Sequence, residues 1–283
     1  MTKAILDPTC AYAAVHELEL DAAGMLARTA VVFLTNRQCP FTCVMCDLWV
    51  NTLDETLAPG VIPQQIRTAL ATLPAARQIK LYNAGSFFDP QAIPPDDDEE
   101  IGKVVAGFDR VIVEAHPAFL RGPYGDRCLA FRDLLRRGRA LAHREGGRLE
   151  VAIGLETANS DVLERLNKWM TLDDFREAVA FLRTHDIDAR AFILLQPPYM
   201  SPADAVEWAC RSIDVAFDAG CGVCSIIPTR GVTPPPTLEM LEAVIEYGIS
   251  RGRGRVFADL WNADETRAGR LRLMNQTQRI PKS

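Results

Sequence analysis

The chain lacks the features that carry a protein into or across a membrane. No run of about 18 or more uninterrupted apolar residues occurs in its 283 residues. The first residues, Met1-Thr2-Lys3-Ala4-Ile5-Leu6-Asp7, do not follow the charged, then apolar, then small order of a secretory signal. A membrane partner is therefore not expected, and the expected address is the cytoplasm. Cysteine is also scarce as a structural staple: eight in a chain of this size cannot make a disulfide scaffold. There is no internal repeat and no low-complexity linker, the stretch Thr233 to Thr237 being too short to separate domains. One domain over residues 1–283 is expected. Excess positive charge is missing too, since the formal net charge is −6 and the pI near 5.4, which excludes a wholly basic nucleic-acid binder.

What is present is a regular alternation. Short β-rich apolar runs at 30–35, 78–83, 110–115, 149–155, 188–195 and 222–228 are separated by longer helical patterns, the signature of βαβ units around a parallel sheet. The run Val256 to Leu260 suggests a further strand or closing segment. Thr171 with Asp174, and Ser201 with Pro202 and Asp204, match capping boxes that open helices. Past Thr171, Leu172, Phe175, Ala178, Val179 and Leu182 repeat at helical period, so that helix buries one face on the sheet. Residues 1–28 are expected to form a helical extension on the outside or bottom. The acidic run Asp96 to Glu100 reads as a solvated helix start, and residues 231–283 as a C-terminal helix followed by a basic end.

Three of the cysteines fall within eight residues, in Cys39-Pro40-Phe41-Thr42-Cys43-Val44-Met45-Cys46, on a loop directly after the first long strand. Thiolates at this spacing let one loop wrap one iron–sulfur cluster, and three ligands leave one iron open to a substrate or cofactor. A structural zinc site built on Cys43 and Cys46 competes, but it lacks a partner pair of the usual kind. Cys221 and Cys224 are similarly spaced, yet Cys224 lies in an apolar run and reads as a buried strand thiol.

With strand, cysteine loop and βα units in place, residues 30 to 230 resemble the radical SAM superfamily, with Phe41 ahead of the second cysteine matching its signature. The resemblance implies a partial (β/α)6 TIM-type barrel, with residues 29–230 as its core. It implies a [4Fe-4S] cluster on Cys39, Cys43 and Cys46 and S-adenosylmethionine on the open iron, cleaved to methionine and a 5′-deoxyadenosyl radical. Asn83-Ala84-Gly85-Ser86 stands where the family has a glycine-rich turn that bonds the methionine amine, and only Gly85 matches that turn by letter. Gly154-Leu155-Glu156-Thr157 with Leu166, Asn167 and Lys168 resembles the strand-four segment of the coproporphyrinogen dehydrogenase, methylthiotransferase and Elongator-type branches. There Glu156 takes the place of a polar residue near the cofactor. Lys168 takes that of the arginine pairing with the methionine carboxylate, for which lysine gives an ion pair without the bidentate fork. The runs around Tyr82 to Pro90, Val113 to Pro117 and Leu194 to Pro198 resemble the archaeosine synthase radical SAM group, whose members act on a modified tRNA base.

In such a barrel, chemistry gathers at the C-terminal ends of the strands. Glu114, Glu156 and Pro228 end strands, and Glu114 is costly to bury unpartnered, so it is expected either to accept hydrogen bonds from the cofactor ribose or amine or to pair with a cation. Arg230 suits an anionic group or pairs with a surface acid. His116 is either a proton carrier or a loop histidine bonded to backbone. Tyr82, Phe87, Gln196 and Tyr199 are further candidates for the substrate pocket. A small-molecule substrate is favoured. A tRNA remains an alternative on the strength of Arg251, Arg253, Arg255, Arg267, Arg270, Arg272, Arg279 and Lys282. A non-catalytic electron-transfer protein is the other alternative, though no fourth cysteine adjoins the loop. A radical enzyme also implies an external electron donor such as flavodoxin or ferredoxin.

Overall fold

The computed structural model describes residues 2–141, 147–260 and 268–278, with the side chains of 139–141 left aside. The elements run β1 (Ala13–Leu20), β2 (Leu26–Leu34), α1 (Val61–Thr72), β3 (Gln78–Asn83), α2 (Asp98–Val105), β4 (Arg110–Glu114), α3 (Gly122–Leu141) and β5 (Arg148–Glu156). They continue as α4 (Ser160–Arg165), α5 (Leu172–Thr184), β6 (Asp188–Leu195), α6 (Ala205–Ala219), β7 (Val223–Pro228), α7 (Leu238–Ser250), β8 (Arg255–Ala258) and α8 (Gly269–Thr277). One sheet holds all eight strands in chain order; β1 and β2 are antiparallel, and the pairs from β2 to β8 are parallel. The sheet curls into a partial barrel, the α/β fold expected. The Val256 run supplies β8.

Side chains alternate between the two faces of each strand. One set, including Val32, Leu34, Ile79, Leu81, Val113, Val151, Ile193 and Ile226, joins helix residues such as Ile62, Ile66, Phe131, Phe175 and Val244 in a single buried core. The alternate set faces the lumen, and its lowest layer is charged. Glu19 accepts from Lys80 at 2.5 Å and pairs with Arg190. Arg190 in turn donates to Glu150 at 2.7 Å, and Arg110 bonds the other Glu150 oxygen at 2.8 Å. Arg255 donates to the Leu20 carbonyl at 2.7 Å. The bonds from Glu19 to Lys80 and Arg190 and from Arg255 to Leu20 run across the lumen between strands that are not neighbours, while Glu150 links neighbouring strands, so together they hold the curl and close its N-terminal end. Buried charges are tolerable here because each has a partner.

Three expectations are corrected. Residues 13–20 form a strand rather than a helix, since the expected N-terminal helix is an antiparallel hairpin. Its turn is set by Asp21, whose carboxylate accepts from the amides of Ala23 and Met25 at 2.9 and 2.8 Å, with Gly24 at φ 77°. The first long strand accordingly begins at Leu26. The acidic run opens α2, but Asp97 is buried, its carboxylate accepting from the Gly60 amide at 2.5 Å ahead of α1. Ser201 and Asp204 do bond each other, at 2.7 and 3.3 Å, yet in the turn before α6, which begins only at Ala205. The Thr171–Asp174 capping box forms as read, and α5 buries Phe175, Ala178, Val179 and Leu182. No helix among the described residues is long and apolar enough to cross a membrane.

Candidate functional site

The cysteine loop leaves β2 at the C-terminal mouth of the barrel and is tied at its base. Gln38 donates to the Leu53 carbonyl at 2.8 Å, and the Leu53 amide to the Asn36 carbonyl at 2.9 Å. Buried Gln65 on α1 clamps the strand end. It accepts from the Thr35 amide at 3.0 Å and donates to the carbonyls of Thr35 and Pro8 at 2.9 and 2.7 Å. On the far side, the Val44 amide bonds the Leu166 carbonyl at 3.0 Å, and the Asn167 side chain bonds Thr42 at 3.0 and 3.1 Å. The loop is thus moored to the segment after α4, which carries Lys168.

Cys39, Cys43 and Cys46 are free and half-buried. Burial pushes the Cys39 thiol up to about 11 and raises the other two, while Lys168 opposes the rise at all three. Among the described residues no three donors are drawn together as a cage for a single ion. A cluster asks for a looser set, one thiolate on each of three irons. Gly85 fits that purpose: its φ is 144°, and a Cβ there would lie 3.3 Å from the Cβ of Cys39. The turn after β3 can therefore pass directly over the first cysteine only as glycine. Cys224 is a buried strand thiol as expected, and Cys221 is buried just before that strand.

Lys168 lies beside the loop, and its ammonium donates to Glu156 at 2.6 Å, with 12% and 10% of the two side chains exposed. Glu156 holds φ 63° at a bulge in β5, and Gly154 leaves the room: a Cβ there would fall 2.2 Å from the Glu156 carboxylate and 2.6 Å from Nζ. Glu114 accepts from the Asn83 amide at 2.7 Å and makes no ion pair among the described residues; burial pushes its carboxyl up to about 8. The cation weighed as its partner is therefore absent from the described contacts. His116 is a backbone clamp. Its Nδ1 accepts from the Ala118 amide at 3.1 Å, so Nε2 carries the proton and donates to the Lys168 carbonyl at 2.8 Å. Burial, and then the Lys168 charge, lower its pKa to about 4, so the ring is held neutral in keeping with its backbone bonds. Phe41 stacks on its ring at 3.9 Å, fixing the cysteine loop from the third side.

Other candidates separate. Phe87 is fully buried against Phe88 and Phe131, in the core and away from the lumen. Tyr82 is half-buried within the lumen beside Phe33 and Phe192. Gln196 donates to the Pro234 carbonyl at 2.8 Å. Tyr199 is 48% exposed, its ring beneath the Arg165 guanidinium at 4.1 Å. Arg230 pairs with Asp47 at 2.8 Å, next to the last cysteine, so the surface-acid alternative holds for it. Pro228 ends β7 opposite Leu195, half-buried. Of the basic end, Arg251, Arg253 and Arg270 pair with Asp214, Asp218 and Glu242; Arg267, Arg279 and Lys282 lie outside the described residues.

Two features escaped sequence reasoning. Among the described residues, five of the six non-glycine residues with positive φ (Glu156, Asn167, Trp169, Gln196 and Tyr199) sit around this mouth, a concentration of backbone strain of the order of 1–3 kcal/mol each of the kind found at functional sites. Buried polar atoms without a partner also collect at its strand ends: both side-chain atoms of Asn83, the Gln196 oxygen, and the hydroxyls of Thr35 and Thr229. Unsatisfied groups in one ring are what a bound polar ligand would complete, and this donor set beside three thiols fits a cluster and its SAM.

No family model matches the sequence. Archaeosine synthase subunit beta of Methanosarcina acetivorans is 26% identical over 204 residues, 68% of this chain and 55% of that protein. The same subunit of Thermococcus kodakarensis is 30% identical over 139 residues, 48% of this chain and 39% of that one. The chain spans about half the length of the curated relatives it matches. Radical SAM enzymes stand among its structural neighbours. The crystal structure of methylornithine synthase superposes with a TM-score of 0.59 at 12% identity, over 89% of this chain and 72% of that one, a likeness of fold.

Proposed function

We propose that the chain is a radical SAM enzyme whose site is the C-terminal mouth of the partial barrel. The observation that carries this is the cysteine loop itself: three thiols moored between the Gly85 turn and Lys168, at the strained, polar-unsatisfied end of the sheet. Cys39, Cys43 and Cys46 hold a [4Fe-4S] cluster, and the ring of Asn83, Ala84, Gly85, Glu114 and Glu156 receives S-adenosylmethionine. Held by these residues, the cluster and S-adenosylmethionine would together supply one-electron reductive cleavage of the sulfonium and, from it, hydrogen abstraction from the substrate.

The chain's own residues bind, orient and exclude. Phe41 on His116 and Asn167 on Thr42 keep the loop's register. Lys168 offsets the negative charge of the thiolates and attracts the methionine carboxylate, which must share its ammonium with Glu156. Glu114, largely protonated at neutral pH, offers a hydrogen bond without adding charge. The substrate is a small metabolite or modified nucleoside, and the electron comes from an external donor such as flavodoxin or ferredoxin. The described C-terminal arginines spend their charge on the protein's own acids, which favours a small substrate over tRNA.

Anaerobic reconstitution is expected to load about four irons, and dithionite with S-adenosylmethionine to release 5′-deoxyadenosine. Replacing Cys39, Cys43 or Cys46 by alanine removes both. Zinc in place of iron, or iron retained after all three replacements, overturns the reading.

A further inference from the structure

The N-terminal hairpin, which has no place in the family resemblance, brings a side chain into the lumen. Because β1 runs antiparallel to β2, its first end lies at the mouth; Tyr12, just before it, donates its amide to the Phe33 carbonyl at 3.0 Å. Its ring meets Phe33 with centroids 5.7 Å apart, Phe33 meets Tyr82 at 6.1 Å, and Tyr82 meets Phe192 at 5.8 Å. Tyr82 and Phe192 stand on β3 and β6, which are not neighbours, so this last contact crosses the lumen. The strip passes over the charged floor and beneath the cysteine loop.

All four rings are half-buried although they line a barrel interior. Such layers are ordinarily filled by branched aliphatic side chains packed to closure. Among the described residues neither phenolic hydroxyl has a hydrogen-bond partner, and neither is sealed from solvent. A phenol in this setting normally finds one. Burial first, then the acids Glu114 and Asp47, hold the Tyr12 phenol well above its ordinary range, so it stays a donor.

We propose that Tyr12, Phe33, Tyr82 and Phe192 form the substrate wall of the lumen, taking a flat unsaturated ring whose edge carries hydrogen-bond acceptors for the two phenols. This rests on the mouth being the reaction site, but its test does not need the cluster. Saturation-transfer NMR on the full chain, cluster-free and reconstituted, uses caffeine as the planar acceptor-edged probe, indole as the planar donor-only probe and 1-methyl-2-piperidone as the saturated control. Caffeine is expected to bind best and the piperidone not at all. Tyr12→Phe, which keeps the ring, is expected to weaken caffeine roughly three- to tenfold and leave indole unchanged. Phe192→Leu is expected to weaken both planar probes. Equal binding of the saturated control, or caffeine unaffected in both variants, overturns the wall. Complete displacement of caffeine by S-adenosylhomocysteine also overturns it, since the strip would then be the seat of the cofactor's adenine. Loss of 5′-deoxyadenosine formation with caffeine binding intact counts only against the radical reading.

Discussion

The Glu156–Lys168 pair sets two demands against each other, and a pair of single substitutions separates them. As built, the ammonium sits 2.6 Å from Glu156 with both side chains nearly buried. If Lys168 also binds the methionine carboxylate, removing it takes away a charge-assisted contact of about 1.5 to 3 kcal/mol, a loss of roughly tenfold to a hundredfold in affinity. Removing Glu156 acts in the opposite direction, because the ammonium is then released to the cofactor alone. Lys168→Ala should therefore weaken, and Glu156→Gln strengthen, the binding of S-adenosylmethionine to the reconstituted protein, measured by calorimetry without reductant. In the cluster-free chain both substitutions should destabilise, since breaking a buried pair leaves one charge uncompensated at a cost of about 3 to 5 kcal/mol. The double variant should regain part of that loss in urea. Weaker binding in Glu156→Gln would refute the competition, the contact of Glu156 with the cofactor then outweighing its hold on Lys168. Unchanged binding in Lys168→Ala would leave the lysine serving Glu156 only.

Three further outcomes are expected. Gly85→Ala, which strains a φ of 144° and crowds the Cys39 Cβ, should lower iron content after reconstitution while far-UV circular dichroism stays that of the parent; full iron loading would remove the turn from the site. Glu114 keeps its proton up to about pH 8 in the fold, against about 4.5 in the unfolded chain, so the folded state binds more protons across that window. Stability should then fall as pH rises through it, and Glu114→Gln should flatten this dependence in urea titrations at several pH values; an identical slope in the variant would contradict the buried placement. Glu19→Gln leaves Lys80 and Arg190 short of a counter-charge in the barrel floor, and should cost about 3 to 5 kcal/mol by the same measurement.

The parallel strands were legible because their buried faces leave apolar runs, and β3 and β6 have the limits read from those runs. The hairpin was not, since Ala13-Ala14-Val15-His16-Glu17-Leu18-Glu19-Leu20 mixes polar and apolar letters, and Glu19 faces the lumen as a partner for Arg190. A buried glutamate has no signature of its own; it becomes intelligible only when its cations on β3 and β6 are brought opposite. The cysteines were legible by spacing, and Gly85 and Lys168 by likeness to a motif. For His116 the sequence left a proton carrier and a backbone-bonded loop histidine open, and both ring nitrogens are tied to backbone; Phe87 was read as a pocket candidate by residue type and is sealed in the core. Tyr12 was missed because β1 was not recognised as the strand that delivers it.

The two ends of the barrel differ in how their buried charges and backbone are arranged, and that difference supports the mouth as the proposed reaction site. At the floor, Glu19, Lys80, Arg110, Glu150 and Arg190 neutralise one another, so a charged ligand entering there would have to break an existing ion pair, although the side chains of Thr29 and Gln78 also keep unpartnered atoms at that end. At the mouth, Asn83, Gln196, Thr35 and Thr229 keep buried atoms without partners, and the backbone at Glu156, Asn167 and Gln196 holds strained angles. There a ligand gains hydrogen bonds that displace nothing. Stability from the floor offsets the cost of keeping the mouth unsatisfied, so substitutions in the floor should act on folding and those at the mouth on binding.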